Sequence, residues 1–147
     1  MLADPTPEEK VFLAELQYFL KDETGYQWIQ GTKPQTLAFG LTDSPVGLAA
    51  WVMDKFHTWS DCKGDPESVF TKDELLTNIM IYWVTGTIGS SFQPYHDFMN
   101  AGGMRWTMET IKHWIGSSET PAAFACFPKD ISNPPREWAA RFFNVQR

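Results

Sequence analysis

The chain has 147 residues, 43% apolar and 20% charged, which suits one soluble globular domain and excludes a disordered polymer. A net charge of −6 supplies no basic patch for a phosphate backbone and argues against nucleic acid as a partner. Every apolar run is broken by Lys, Asp or Glu short of a bilayer-spanning length. Met1-Leu2-Ala3-Asp4-Pro5 also lacks the basic and apolar regions of a secretory leader, so a soluble chain with a cytoplasmic location favoured is expected.

In chain order, Thr6-Pro7-Glu8-Glu9 is a helix start: Thr6 can cap, Pro7 fits the first helical position and Glu9 can close a capping box. Phe12, Leu16, Phe19 and Leu20 carry one face before Gly25 stops it. Residues 25–40 are rich in turn formers and read as irregular. Ser44-Pro45 repeats the cap-then-proline start, and Ala49, Val52, Phe56 and Trp59 keep helical spacing to about Ser60. Residues 61–70 form a polar loop, whose Asp61, Asp65 and Glu67 read as solvated acids rather than a calcium site. Thr71 with Glu74 opens a further helix, with a stripe of Leu75, Ile79, Tyr82, Trp83 and Gly86. Glycines and Gln93-Pro94 are expected to break it near Ser90. A short helix over Thr107–Ile115, a strand over 121–127 in "PAAFACFPKD", and a third cap-proline start at Asn133-Pro134-Pro135 complete the chain. One strand alone leaves its backbone unpaired, so it should pair with another chain or belong to a larger body.

Seven Trp, eleven Phe and four Tyr require large packed surfaces or an apolar pocket to line. Trp51, Trp59 and Trp83 read mainly as packing residues, with one of them a potential pocket wall. Cys62 and Cys126 stand in no metal-ligand spacing and read as free thiols. No Gly-x-Ser-x-Gly elbow, phosphate-cradling glycine loop, His-Glu-x-x-His or Cys-x-x-Cys is present. His57, His96 and His113 lack convergent partners and read as surface or partly packed residues.

Asp130 stands apart. An acid just past an apolar strand, followed by a proline-started helix, fits the orienting acid of an α/β-hydrolase, whose order is nucleophile, acid, histidine. On that reading the nucleophile lies before residue 1 and the histidine after residue 147. An ordinary turn or helix-capping aspartate is the alternative.

Several motifs together resemble the cap region of epoxide hydrolases of the microsomal type. They are "GYQWIQGTKPQT" from Gly25, "DSPVGLAAWVMDKF" from Asp43, "TKDELLTN" from Thr71, and "YWVTGTIGSS" from Tyr82. "FACFPKD" with Pro135-Arg136-Glu137-Trp138 resembles the strand and helix that carry this family's acid. The resemblance implies an α/β-hydrolase fragment, mostly a helical cap, with residues 1–116 as cap and 117–147 as part of the core. It implies an aspartate nucleophile that forms an ester with the epoxide carbon, two cap tyrosines on the epoxide oxygen, and a His–acid pair that activates water. Carried over by motif, the tyrosines are Tyr26 and Tyr95 and the acid is Asp130. "FQPY" departs from the family by placing a proline before Tyr95, and many relatives carry Glu where this chain has Asp130.

The substrates so implied are a small apolar epoxide and water, with no metal or organic cofactor. The rest of the hydrolase core is required, so the chain alone is expected to lack turnover and to be poorly stable or self-associating. Two other readings remain: an α/β-hydrolase of different chemistry, such as an esterase, and a non-catalytic helical module that binds apolar molecules.

Overall fold

The computed structural model describes residues 4–102, 118–131 and 133–147. They fall into two compact units: residues 25–102 form one, and residues 4–24 with the described part of 118–147 form the other. The helix expected over Thr107–Ile115, and His113 within it, lie outside the described residues.

In the unit that contains both chain ends, helix α1 (Pro7–Tyr18) starts as its sequence demands. Thr6 Oγ1 accepts from Glu9 N, and Glu9 Oε2 accepts from Thr6 N at 2.9 Å, which closes the capping box. One π-helical turn, Phe19–Glu23, follows. Phe12 is buried against the edge of Trp138, with ring centroids 5.1 Å apart. The indole N–H of Trp138 donates to Glu9 Oε1 at 2.8 Å, so one carboxylate serves both the cap and a tertiary contact.

Two strands, β1 (Ser118–Ala122) and β2 (Phe143–Val145), pair in parallel, with Ser118 opposite Phe143 and Ala122 opposite Val145. A parallel pair needs a crossover, which here contains the short helix α7 (Arg136–Ala139), numbered after α2–α6 of the other unit. The strand expected over 121–127 is therefore shifted toward the N-terminus and has a partner within the chain. Backbone bonds continue past β1, with Gln146 N donating to Ala122 O at 2.9 Å and Phe124 N to Arg147 O at 3.1 Å. Asn133 caps no helix. Pro135 occupies the cap position of α7 without a side-chain bond, and Asn133 Nδ2 donates back to Phe127 O at 2.7 Å.

Residues 25–40 are helical except for Lys33, where their turn formers predict irregular chain. Helix α2 (Gly25–Thr32) and helix α3 (Pro34–Asp43) meet at Lys33, because Pro34 stops one helix and starts the next. Helix α4 (Pro45–Trp59) is capped by Ser44, whose Oγ accepts from Gly47 N at 3.0 Å. Helix α5 (Lys72–Thr85) begins with the Thr71–Glu74 capping box and ends at Gly86, whose left-handed φ of 64° suits glycine. Gln93-Pro94 does not break a helix but opens one, α6 (Gln93–Asn100), after a short 3₁₀ turn at Ser90–Phe92.

Leu41, Leu48, Ile79, Ile88 and Phe92 form the core of this unit, with Trp51, Tyr82 and Trp83 packed on it. The loop acids have structural uses: Asp65 Oδ1 accepts from Glu67 N at 3.1 Å, and Glu67 pairs with Lys72 at 3.3 Å. No helix among the described residues is long and apolar enough to cross a membrane.

Candidate active site

The site is built on α2, α4 and α6. Tyr26 occupies the first turn of α2 and Tyr95 the first turn of α6. Two features bring these turns together. Phe92, only 1% exposed, anchors the entry to α6 one turn before Tyr95. Gly31, buried on α2, removes the side chain that would hold the helices apart. A Cβ there would lie 2.5 Å from Met99 Cγ and 3.4 Å from the Tyr95 carbonyl oxygen. Residues 69 positions apart in sequence thereby become ring neighbours, with the Tyr26 and Tyr95 centroids 5.9 Å apart and planes at 80°.

Trp59, at the last turn of α4, closes the other side of Tyr26, with centroids 5.2 Å apart and an angle of 63°. Lys55 precedes Trp59 by four residues and therefore shares its helix face. Its ammonium lies 4.9 Å from the Trp59 centroid and 5.7 Å from that of Tyr26, within reach of attraction to both π systems. Asp54 Oδ2 also holds that ammonium, at 2.6 Å. The carboxamide Nε2 of Gln27 donates to Tyr26 Oη at 2.9 Å.

Tyr95 is partly exposed, at 37%. Partial burial raises its phenol above the ordinary value, and negative charge on Tyr26 or Tyr82 would push it further. It is therefore a proton donor over a wide pH range. Neighbouring phenols of this kind can stabilise negative charge that develops on a substrate oxygen.

Asp130 lies in the other unit, exposed, in the turn that follows Phe127, where its N–H donates to Phe127 O at 3.1 Å. It does not cap α7. Among the described residues no three His, Cys, Asp or Glu side chains converge as metal ligands. Cys62 is buried and Cys126 exposed, both as free thiols.

Lys55, Gln27 and Gly31 had no assigned place in the site from sequence, whereas Trp59 was one of three tryptophans read mainly as packing, with one of them a potential pocket wall. The i, i+4 spacing of Lys55 and Trp59 was a usable signal for a shared face. Nothing local pointed to Gly31, whose role is defined by a residue 68 positions later.

No family model matches the chain. Epoxide hydrolase 1 of Sus scrofa is 43% identical over 127 residues, 82% of this chain, and that of Oryctolagus cuniculus is 42% identical over 137 residues, 89% of this chain. The chain belongs to the epoxide hydrolase family. It spans only 27% and 28% of those two relatives. Among solved structures, the juvenile hormone epoxide hydrolase of the silkworm Bombyx mori matches with a TM-score of 0.74 and 26% identity. That match covers 97% of this chain and 35% of the other. An Aspergillus niger epoxide hydrolase matches at 0.72 and 25%, covering 99% and 34%. The fold is accordingly that of an α/β-hydrolase, represented here by cap helices and a small piece of the core.

Proposed function

We propose that Tyr26 and Tyr95 are the electrophilic pair of an enzyme that hydrolyses an epoxide to a vicinal diol, with Asp130 as the acid that orients its catalytic histidine. The observation that carries this reading is the direct ring contact between Tyr26 and Tyr95 across α2 and α6.

In this mechanism a carboxylate oxygen from outside the chain attacks an epoxide carbon and forms an ester bond. The ring C–O bond breaks, and its electron pair moves onto the epoxide oxygen. A tyrosine proton follows, leaving a phenolate. Because an unassisted alkoxide is a poor leaving group, phenol donors lower the barrier where the charge appears. Water then attacks the ester carbonyl, with a histidine held by Asp130 taking its proton; the diol leaves, the carboxylate is regenerated, and the proton on the histidine returns through solvent to the phenolate. Covalent capture divides one difficult hydrolysis into two easier steps.

The test is single-turnover kinetics with a small apolar epoxide in the enzyme that carries these residues with a complete hydrolase core. Tyr26→Phe and Tyr95→Phe should each slow ring opening by about 10²-fold, as loss of one oxyanion donor does, and the pair should abolish it. Unchanged ring opening in both variants would sink the reading. Asp130→Asn should slow ester hydrolysis and cause the covalent intermediate to accumulate.

The chain alone is expected to show no turnover. Its self-association is expected through apolar side chains such as Leu76, Met80, Ile81 and Val84, which are exposed along α5. A monomer with a concentration-independent melting transition would count against that expectation.

A further inference from the structure

We infer that Gln27 is a positioning residue for epoxide opening, acting through the hydroxyl of Tyr26. This rests on the reading of Tyr26 as an electrophile. The carboxamide N–H of Gln27 donates to Tyr26 Oη at 2.9 Å. A donor pointed at that oxygen has two consequences.

The first concerns direction. The hydroxyl has one proton and accepts through its lone pairs. An N–H and an O–H cannot point at each other, so the Gln27 amide excludes the Tyr26 proton from its own side. The proton is left for another acceptor, here the substrate oxygen. Trp59 against the ring edge and the Lys55 ammonium near its face restrict the ring that carries this hydroxyl.

The second concerns charge. When the epoxide C–O bond breaks and its electron pair moves to the oxygen, the Tyr26 proton transfers and Tyr26 becomes a phenolate. The Gln27 N–H then donates to an anion, and hydrogen bonds to an ionised acceptor are the stronger kind. The contact therefore strengthens between ground state and transition state, which is the condition for raising kcat rather than lowering KM.

The chain dictates this contact locally, because Gln27 adjoins Tyr26 in the first turn of α2 and both side chains are half-buried. No long-range packing is needed to form it. Substituting Gln27 therefore removes a donor without opening the core formed by Leu41, Leu48, Ile79, Ile88 and Phe92.

The experiment is a double-mutant cycle in the enzyme with a complete core, read by the single-turnover rate of ester formation. Gln27→Met keeps the length and removes the donor. It should slow ester formation about tenfold, with the binding of a non-reactive diol product unchanged. In a Tyr26→Phe background the same substitution should have no further effect, because the oxygen it serves is gone. Gln27→Glu, an acceptor only, should slow the step more than Gln27→Met by drawing the proton away.

An equal loss in the presence and absence of the Tyr26 hydroxyl would make Gln27 a packing residue and overturn the inference. A faster rate in Gln27→Met would overturn it too, since the carboxamide would then have been accepting the proton. Failure of the epoxide reading looks different: Tyr26→Phe itself leaves the rate unchanged.

Discussion

Gly31 on α2 lies so close to Met99 on α6 that a Cβ built on the glycine would fall 2.5 Å from Met99 Cγ. The same position faces the carbonyl of Tyr95 at 3.4 Å, so the contact that closes these helices also sets the distance between the candidate phenols. Gly31→Ala should destabilise residues 25–102 by about 1–3 kcal/mol, the usual range for overpacking a tight contact. On the proposed reading, in the enzyme with a complete core, it should also reduce epoxide turnover more than stability alone explains, since small displacements of positioned groups are costly. Met99→Ala should relieve the clash, so that the double variant melts higher than Gly31→Ala alone. Chemical denaturation with a double-mutant analysis reads this directly; independent, additive effects would refute the close approach.

Phe92 couples the core to the site in the same unit. Its ring is 1% exposed among Leu48, Ile79 and Ile88, and the next turn of chain carries Tyr95. Phe92→Ala should cost about 3–5 kcal/mol, and Leu48→Ala, at a fully buried position, about 2–5 kcal/mol. The two should differ in function. On the proposed reading, in the enzyme with a complete core and at a temperature where both variants remain folded, Phe92→Ala should lose ring-opening rate because α6 loses its anchor, whereas Leu48→Ala should retain it. Equal rates would place Tyr95 under the control of other contacts.

Much of this was legible in the chain because its signals are local. The two Thr–Glu capping boxes and the Ser44-Pro45 start each satisfy backbone donors within four residues, and α1, α4 and α5 begin where those signals stand. The segment 25–40 misled for a physical reason. Gly25, Gly31 and Pro34 are ordinarily turn residues, but Pro34 is a helix-starting proline and Gly31 is a packing glycine required by α6. Gln93-Pro94 misled in the same way, since a proline in the first helical turn sacrifices a donor that has no partner there anyway. The pairing of Tyr26 with Tyr95 was legible only through motif resemblance, because the packing that creates it joins two helices far apart in sequence. β2 carried too short a pattern, three residues, to be read as a strand without its partner.

Glu9 gives the other unit a pH dependence. The Trp138 indole N–H, followed by the Thr6 backbone and hydroxyl and the Arg141 guanidinium, holds its carboxyl below the usual glutamate range. A folded value below the unfolded one favours the ionised form. The resulting stability is complete above the unfolded value and is lost as pH falls through the folded one. Wild type should therefore melt higher than Glu9→Gln at neutral pH, with the gap closing on acidification. Trp138→Phe removes the leading cause, so its acid loss should be smaller and should end at a higher pH than in the wild type. A gap between wild type and Glu9→Gln that does not change with pH would mean that this carboxylate gains nothing from its partners.

Tyr95 is expected to govern the alkaline side. Burial, and then the charges of Tyr26 and Tyr82, raise its phenol above the ordinary value. A raised folded value means that stability is complete below the unfolded value of about 10 and is lost as pH rises through the folded one, where an unfavourable phenolate must form. The donor form of Tyr95 thus persists past the pH at which a free phenol ionises. Tyr18 also titrates late, because its hydroxyl donates to Glu23 at 3.0 Å and the carboxylate favours the protonated phenol. Phenolate absorbance against pH should therefore show two late steps, one removed by Tyr18→Phe and the other by Tyr95→Phe. Tyr26→Phe removes a charge that opposes ionisation and should move the Tyr95 step to lower pH. If Tyr95→Phe instead removes a step at the ordinary phenol value, Tyr95 is not desolvated as its packing beside Tyr26 requires.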